Sequence, residues 1–215
     1  MKFATATRTP DLGTRLRDSV VNKIGASRTV KIDRFVTAPA PPQDSPIDTP
    51  QEKLEYLERN LIQLTEAADF QHKLDALVQS ARTVCRADGA SLLLLSEDRT
   101  ELFFAHVAGD NAEALMKIRL PLDEHSVAGF SVLRRQTLRV CDAATDPRQS
   151  KQTDAAIGYR TRSLIAAPLT WEGEPLGVLE VVNKLEGTFD DDDVEFMQLL
   201  ATQTAIAVQL ARQGR

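Results

Sequence analysis

The residue types that most often carry chemistry are few in this sequence and are scattered along it. The histidines are His72, His106 and His125, and none of them is followed by the aspartate of a His-Asp metal pair. Cys85 and Cys141 form no Cys-x-x-Cys pair, and no phosphate-binding loop, Gly-x-Ser-x-Gly or His-Glu-x-x-His motif occurs. From these residues we expect no catalytic centre, no metal site and no cofactor.

Four consecutive aspartates, Asp190–Asp193, open the last predicted helix, and Lys184 stands before them at the end of a predicted strand. Consecutive residues at a helix start do not converge on one ion, so the run does not predict a metal site. Two structural roles are open. Either the aspartates cap the helix and complement its dipole, or Asp193 forms a salt bridge with Lys184 that ties the helix to the sheet.

Charge and hydropathy exclude several classes of protein. The 215 residues carry a net charge of −5, which argues against a general nucleic-acid binder because such proteins present a basic face. No apolar run approaches the roughly 18 residues that a membrane helix needs, and the first ten residues lack the apolar stretch of a signal peptide. We therefore expect a cytoplasmic protein with no nucleic-acid and no membrane partner.

The sequence divides into three parts. Residues 1–36 are basic and hold too few apolar side chains for a core, so they predict a flexible arm. Prolines at 39, 41, 42, 46 and 50 disfavour helix and sheet, and we interpret residues 37–50 as a linker. Residues 51–215 have the apolar periodicity of a folded domain.

The domain begins with two predicted helices, the first marked by leucines at 54, 57, 61 and 64 and the second over residues 70–85. The elements predicted after them are strands over 90–96 and 101–108, a helix over 111–118, a strand over 119–122, a helix over 127–134 and a strand over 137–141. A polar stretch over 145–159, mostly loop with one short helix, comes next, followed by strands over 163–170 and 176–183 and a last helix from 190 onward. Strands joined by short turns pair antiparallel. We therefore expect an α+β fold whose central antiparallel sheet of five to six strands carries the N- and C-terminal helices on one face.

Several short strings resemble the GAF family, in particular the GAF domains of cyclic-nucleotide phosphodiesterases and adenylyl cyclases. The strings are Val127-Ala128-Gly129, Cys141-Asp142-Ala143, Asp146-Pro147-Arg148, the run Gly158–Leu164, Ala167-Pro168-Leu169 and the run Gly177–Lys184. They occur in the family's order and spacing, and the likeness covers about residues 70–211. The resemblance implies that the sheet face opposite the terminal helices borders a ligand cavity.

The resemblance also implies which residues contact a ligand. They are Ser91, Val127, Ala128, Asp154, Ile157, Thr161 and Glu180. Ile157 departs from the family, because cyclic-nucleotide-binding members usually carry threonine there. Side-chain alternation places Glu180 and Val182 on one sheet face and Leu179 and Val181 on the other.

Two further sets of residues carry expectations. In the family, the equivalents of Lys184 and Asp193 pair beneath the ligand, although here Val194 replaces the glutamate that usually follows the aspartate. Arg160 and Arg162 flank Thr161, and we expect them to form structural ion pairs with acidic residues.

The function expected from this resemblance is sensory and regulatory, not catalytic. A small, nucleotide-like ligand would shift the packing of the flanking helices, and a separate signalling output protein would respond to that shift. The alternative is a dimerisation or adaptor module that binds no ligand.

We predict that the protein forms a homodimer, because the leucine stripe at 54, 57, 61 and 64 is exposed unless it meets another chain or folds onto the domain. Light scattering at micromolar concentration should report twice the mass of one chain. The double substitution Leu57→Glu and Leu61→Glu should reduce that mass to the monomer. A wild-type protein that is monomeric at this concentration would contradict the prediction.

Overall fold

The computed structural model describes residues 49, 51–53, 55–56, 70–149 and 151–213. The predicted arm over residues 1–36, nearly all of the linker over 37–50, and the leucines at 54, 57, 61 and 64 lie outside these described residues. The boundary placed at residue 51 and the leucine stripe therefore stay predictions. Residues 51–53 and 55–56 are helical, and we call them the N-terminal helical segment.

Five helices and six strands follow. They are α1 (Phe70–Val84), β1 (Ala87–Leu95), β2 (Glu101–Ala108), α2 (Ala112–Leu115), β3 (Arg119–Pro121), α3 (Val127–Arg134), β4 (Leu138–Val140), α4 (Lys151–Ile157), β5 (Leu164–Trp171), β6 (Glu174–Lys184) and α5 (Asp191–Gln213). The order agrees with the order predicted from the sequence. The largest boundary differences are three residues: β1 begins three residues before the predicted strand, and α2 ends three residues before the end of the predicted helix.

The β1 difference has a packing cause. In the sequence, Asp88-Gly89 interrupts the apolar pattern of the preceding helix and does not indicate a strand. In the structure, however, Ala87 pairs with Lys184 and Gly89 pairs with Val182 across β1 and β6. A Cβ atom at residue 89 would lie 3.2 Å from Cγ2 of Val182, which is a tight contact. Glycine at this position therefore lets the two strands stay paired beside the Val182 side chain.

The six strands form one antiparallel sheet in the order β3-β2-β1-β6-β5-β4. Short turns create the β1–β2 and β5–β6 hairpins, and the pairing of β1 with β6 joins the two halves. This sheet, with its helices, confirms the predicted fold class.

Both faces of the sheet are buried. On one face, α1 and α5 pack against Leu92, Leu179 and Val181. On the other face, Leu93 and Val178 pack against Val127 and Val132 of α3. Because β1 and β6 are covered on both sides, their apolar runs do not alternate with polar residues in the usual way.

Asp193 in the first turn of α5 is fully buried and forms two ion pairs. Its Oδ2 atom lies 2.7 Å from Nζ of Lys184, and its Oδ1 atom lies 3.1 Å from Nζ of Lys53 in the N-terminal helical segment. The backbone N–H of Asp190 donates to Asp193 Oδ2, and the Asp193 N–H donates to Asp190 Oδ1. Both structural roles left open by the sequence thus occur, with Asp190 capping the helix and Asp193 forming the tie.

Replacing Asp193 by asparagine should cost about 3–5 kcal/mol in the free energy of unfolding, because two buried ammonium groups lose their counter-charge. Urea unfolding at neutral pH measures the change. Glu195→Gln is the matched control, since Glu195 is an exposed acidic residue of the same helix, and its effect should stay within about 0.5 kcal/mol. Equal stability of the two variants would show that the buried pairs contribute nothing.

Candidate ligand-binding site

A cavity of about 390 Å³ lies against the sheet face opposite α1 and α5. Strands β1, β2 and β6 supply its floor, α2 and α3 supply one side, and residues 153–161, which we call the α4 wall, supply another. All seven residues predicted as ligand contacts line it: Ser91, Val127, Ala128, Asp154, Ile157, Thr161 and Glu180. The fold therefore brings together positions that are far apart in the sequence, and their role in ligand binding stays a prediction.

Ser91 and Glu180 lie side by side on the floor, since they are register partners on β1 and β6. Glu180 and Val182 line the cavity, whereas Leu179 and Val181 belong to the core beneath α1 and α5, as side-chain alternation predicts. Neither the Ser91 hydroxyl nor the Glu180 carboxyl forms a hydrogen bond or ion pair with a described residue. Both groups are thus open to whatever occupies the cavity.

Burial raises the pKa of Glu180 from its ordinary value of 4.5 to about 7. The protein surrounds this carboxyl, and the surface it keeps is the surface that faces the cavity. Desolvation penalises the charged form, and no described residue donates a hydrogen bond that compensates for it. The carboxyl therefore changes its charge in the neutral pH range.

Asp154 and Thr161 are paired with each other. The Thr161 backbone N–H donates to Asp154 Oδ2 at 2.8 Å, and the Thr161 hydroxyl donates to Oδ1 at 2.8 Å. A weaker hydrogen bond at 3.4 Å comes from the Gln149 side chain. These bonds close the turn that follows α4 and give the α4 wall its shape, a structural role that the sequence does not indicate.

Three residues that were assigned no role from the sequence, Asp88, Tyr159 and Asn183, fasten the α4 wall to β1 and β6. The Tyr159 hydroxyl donates to Asp88 Oδ2 and accepts a hydrogen bond of 2.9 Å from the Asn183 amide. Asn183 also accepts from the Arg162 N–H and donates to the Arg160 carbonyl. Burial and the neighbouring Asp88 raise the pKa of Tyr159, so its hydroxyl stays protonated as a donor.

The first turn of α3 reaches the cavity through Val127 and Ala128. Ser126 caps the helix, because its Oγ accepts a hydrogen bond of 2.9 Å from the Gly129 N–H. A Cβ atom at residue 129 would lie 2.1 Å from the Asp123 carbonyl oxygen, so glycine permits the close approach of the preceding loop. Ile157 presents an apolar side chain to the same cavity, where the related domains usually offer a hydroxyl.

The remaining chemically active residues lie elsewhere. His106 forms a hydrogen-bonded pair with Asp75 of α1, on the opposite side of the sheet, whereas His125 and Cys141 are exposed. Among the described residues, no group of three or more His, Cys, Asp or Glu side chains is arranged to hold a metal ion. Arg160 and Arg162 are exposed, and the expected ion pairs do not occur with the described carboxylates.

Comparison with known proteins assigns the family. The GAF domain family model matches residues 69–208, which is more than half of the chain. The chain belongs to the GAF family. The resemblance inferred from the sequence is thereby confirmed.

Two curated relatives are cyclic-nucleotide phosphodiesterases. The probable 3',5'-cyclic phosphodiesterase pde-5 of Caenorhabditis elegans is 26% identical over 141 residues, which cover 61% of this chain and 19% of that protein. The cGMP-specific 3',5'-cyclic phosphodiesterase of Drosophila melanogaster is 30% identical over 89 residues, which cover 40% of this chain and 8% of that protein. This GAF chain spans less than a fifth of the length of either relative.

Solved GAF structures have the same fold. The GAF domain of a phosphoenolpyruvate-protein phosphotransferase from Coxiella burnetii matches with a TM-score of 0.71 at 21% identity, covering 77% of this chain and 98% of that one. The free methionine-R-sulfoxide reductase of Neisseria meningitidis matches with a TM-score of 0.66 at 21% identity, covering 78% and 95%. In the part of the chain that the structure describes, no helix is long and apolar enough to cross a membrane.

The raised pKa of Glu180 predicts a pH dependence of stability. Between pH 4.5 and about 7 the folded state keeps a proton that the unfolded state has released, so stability falls as pH rises through this window. Glu180→Gln removes the penalty and should match wild type near pH 4.5. At pH 8 the variant should be more stable by up to about 3 kcal/mol, an upper limit because cavity water screens the charge.

Urea unfolding across this pH range measures the effect, and Glu195→Gln is the control on an exposed surface. Parallel pH profiles for wild type and Glu180→Gln would show that the carboxyl is not desolvated as the structure implies.

Proposed function

We propose that this GAF domain is a non-catalytic sensory module that binds a small ligand in the cavity over β1 and β6. The observation that carries the proposal is the pair of unused polar groups on the cavity floor. Ser91 is 7% exposed, and neither it nor Glu180 is hydrogen-bonded by a described residue. Both groups border the cavity, so a ligand that supplies hydrogen-bond partners to them gains affinity.

A continuous set of contacts provides a route from the cavity to the N-terminal helical segment. Tyr159 and Asp88 line the cavity and are bonded to each other, and Asn183 donates to Tyr159. The next residue, Lys184, pairs with Asp193, and Asp193 pairs with Lys53 in that segment.

In the proposed relay, the signal passes from the ligand to the terminal helices through the α4 wall. If a ligand moves this wall, the Asn183 hydrogen bonds to residues 159–163 change, and the adjoining ion pairs transmit the change to the helices at both ends of the domain. A separate output protein then responds to the altered helices, and we place this event in the cytoplasm.

Dimerisation without a ligand is the second candidate function, and the surface of α5 favours it. Leu199 and Leu210 are 41% and 61% exposed. They are eleven residues apart, so they lie on the same side of the helix. An adaptor would use this apolar strip to pair two copies, and a sensory module would use the same strip for its dimer helices.

The chain is proposed to carry out no catalysis, including hydrolysis of cyclic nucleotides. The described residues hold no cluster of metal-binding side chains, and metal-dependent hydrolysis requires such a cluster to activate water. We therefore do not propose for this chain the phosphodiesterase activity named for its relatives.

Native mass spectrometry of the freshly purified protein tests the proposed function, because it reports a retained ligand and the oligomeric state together. Calorimetry with both cyclic nucleotides follows. Ile157 lacks the hydroxyl that related domains usually supply, and we expect this to weaken cyclic-nucleotide binding by about 0.5–1.5 kcal/mol. Ile157→Thr should therefore tighten any binding that is measured.

Glu180→Ala should weaken binding of whatever ligand is found, and Thr161→Val should weaken it by loosening the α4 wall. Glu195→Gln should leave the affinity unchanged. Binding that none of these changes affects would place the ligand outside this cavity. A dimer with no retained ligand and no response to a ligand screen would favour the adaptor.

A further inference from the structure

We propose that the cavity selects a ligand that carries a positively charged nitrogen on an apolar body. This inference rests on the proposed function, since it names the chemical class of ligand for the same site. It follows from the charges of the cavity lining, from the position of the Glu180 carboxyl on the cavity floor, where no described residue pairs with it, and from the apolar walls around that carboxyl.

The lining is acidic and contains no basic side chain. Asp88, Asp110, Asp154 and Glu180 line the cavity, whereas lysine, arginine and histidine are absent from the described lining. Among the described residues, the positive ends that border the cavity are the first turn of α3 and the N-cap of α2 at Asn111, and a helix N-terminus is equivalent to about half an elementary charge. A bare phosphate or carboxylate would meet more repulsion than attraction there.

The four carboxyl groups are not equally available. Asp88 accepts the Tyr159 hydroxyl, and Asp154 accepts both the N–H and the hydroxyl of Thr161. Asp110 is exposed at the edge of the cavity. Glu180 has no protein partner among the described residues and stands next to the equally unpaired Ser91 hydroxyl. A protonated nitrogen placed at Glu180 can donate to both oxygens and gains a charge-assisted hydrogen bond.

Apolar side chains surround this polar floor. Phe104, Leu115, Leu120, Ile157 and Val182 contribute to the lining. A cavity of about 390 Å³ with mostly apolar walls accommodates a ring-sized hydrocarbon body. The apolar walls also lower the polarity around the carboxyl, which strengthens its attraction for a cation.

The charge state of Glu180 makes the binding depend on pH. The titratable side chains in the lining are Asp88, Asp110, Asp154, Tyr159 and Glu180, and Glu180 has a pKa of about 7. A cation favours the ionised carboxyl and lowers its pKa, so binding releases a proton. The affinity for an amine should therefore rise about tenfold between pH 6 and pH 8, whereas an anion should bind more weakly as pH rises.

Three indole compounds that differ only in their side-chain end group test the proposal: tryptamine, tryptophol and indole-3-acetate. Calorimetry with the full chain measures the dissociation constant of each at pH 6 and pH 8. At pH 8 we expect tryptamine to bind at least about tenfold more tightly than tryptophol, and indole-3-acetate to bind most weakly.

Glu180→Gln should remove both the preference for tryptamine and its pH dependence, since the amide has the shape of the acid without its charge. Glu195→Gln, on the exposed face of α5, should keep both. The charge series and the pH dependence of the wild-type protein test the proposal independently of the variants.

Each outcome separates this inference from the proposed function. Equal or tighter binding of tryptophol or indole-3-acetate would overturn the cation preference while leaving a ligand-binding cavity in place. A tryptamine preference that survives in Glu180→Gln would also overturn it. If none of the three compounds binds at millimolar concentration, the inference fails, and a retained ligand in native mass spectrometry would still support the proposed function.

Discussion

The pairing of β1 with β6 is the constraint on which the rest of this structure depends. It joins a hairpin near the start of the domain to a hairpin near its end, and the sheet becomes continuous only through this contact. Both strands are then central and buried on both faces. The terminal helices cover one face, and the region between the hairpins must cover the other. Residues 109–162 do so through short elements that leave a cavity.

The same pairing decides the chemistry of the cavity floor. Ser91 and Glu180 are neighbours because they are register partners, and a slip of one residue would send Glu180 into the core beneath α1 and α5. The carboxylates of Asp193 and Glu180 contrast in the partners that the fold gives them. Asp193 is surrounded by two ammonium groups and backbone donors and holds helices to the sheet, whereas Glu180 has no partner among the described residues. Asp193 therefore contributes to stability, and an ionised Glu180 costs stability.

Asn183 lies on β6 between Glu180 and Lys184, the residue that pairs with Asp193. It stands between the cavity-lining strand segment and Lys184, with a left-handed backbone conformation at φ 58°. Its amide binds the chain at residues 159–163, which lead from the α4 wall into β5. A displacement of the α4 wall would therefore alter the hydrogen bonds of Asn183, which lies next to the buried ion pairs. This arrangement supports the proposed relay from the cavity to the helices on the other side of the sheet.

The sequence by itself determined the order of the elements, the antiparallel hairpins, the family and the faces of β6, because these follow from local periodicity and short connections. Motif resemblance also placed seven residues that do line one cavity. Only the tertiary structure decided which polar groups are satisfied. Lys53 reaches Asp193 across 140 positions of sequence, and Tyr159 meets Asp88 across 71. The pairing of Asp154 with Thr161 and the lack of a described partner at Glu180 depend equally on distances in space, and no local pattern in the sequence encodes such distances.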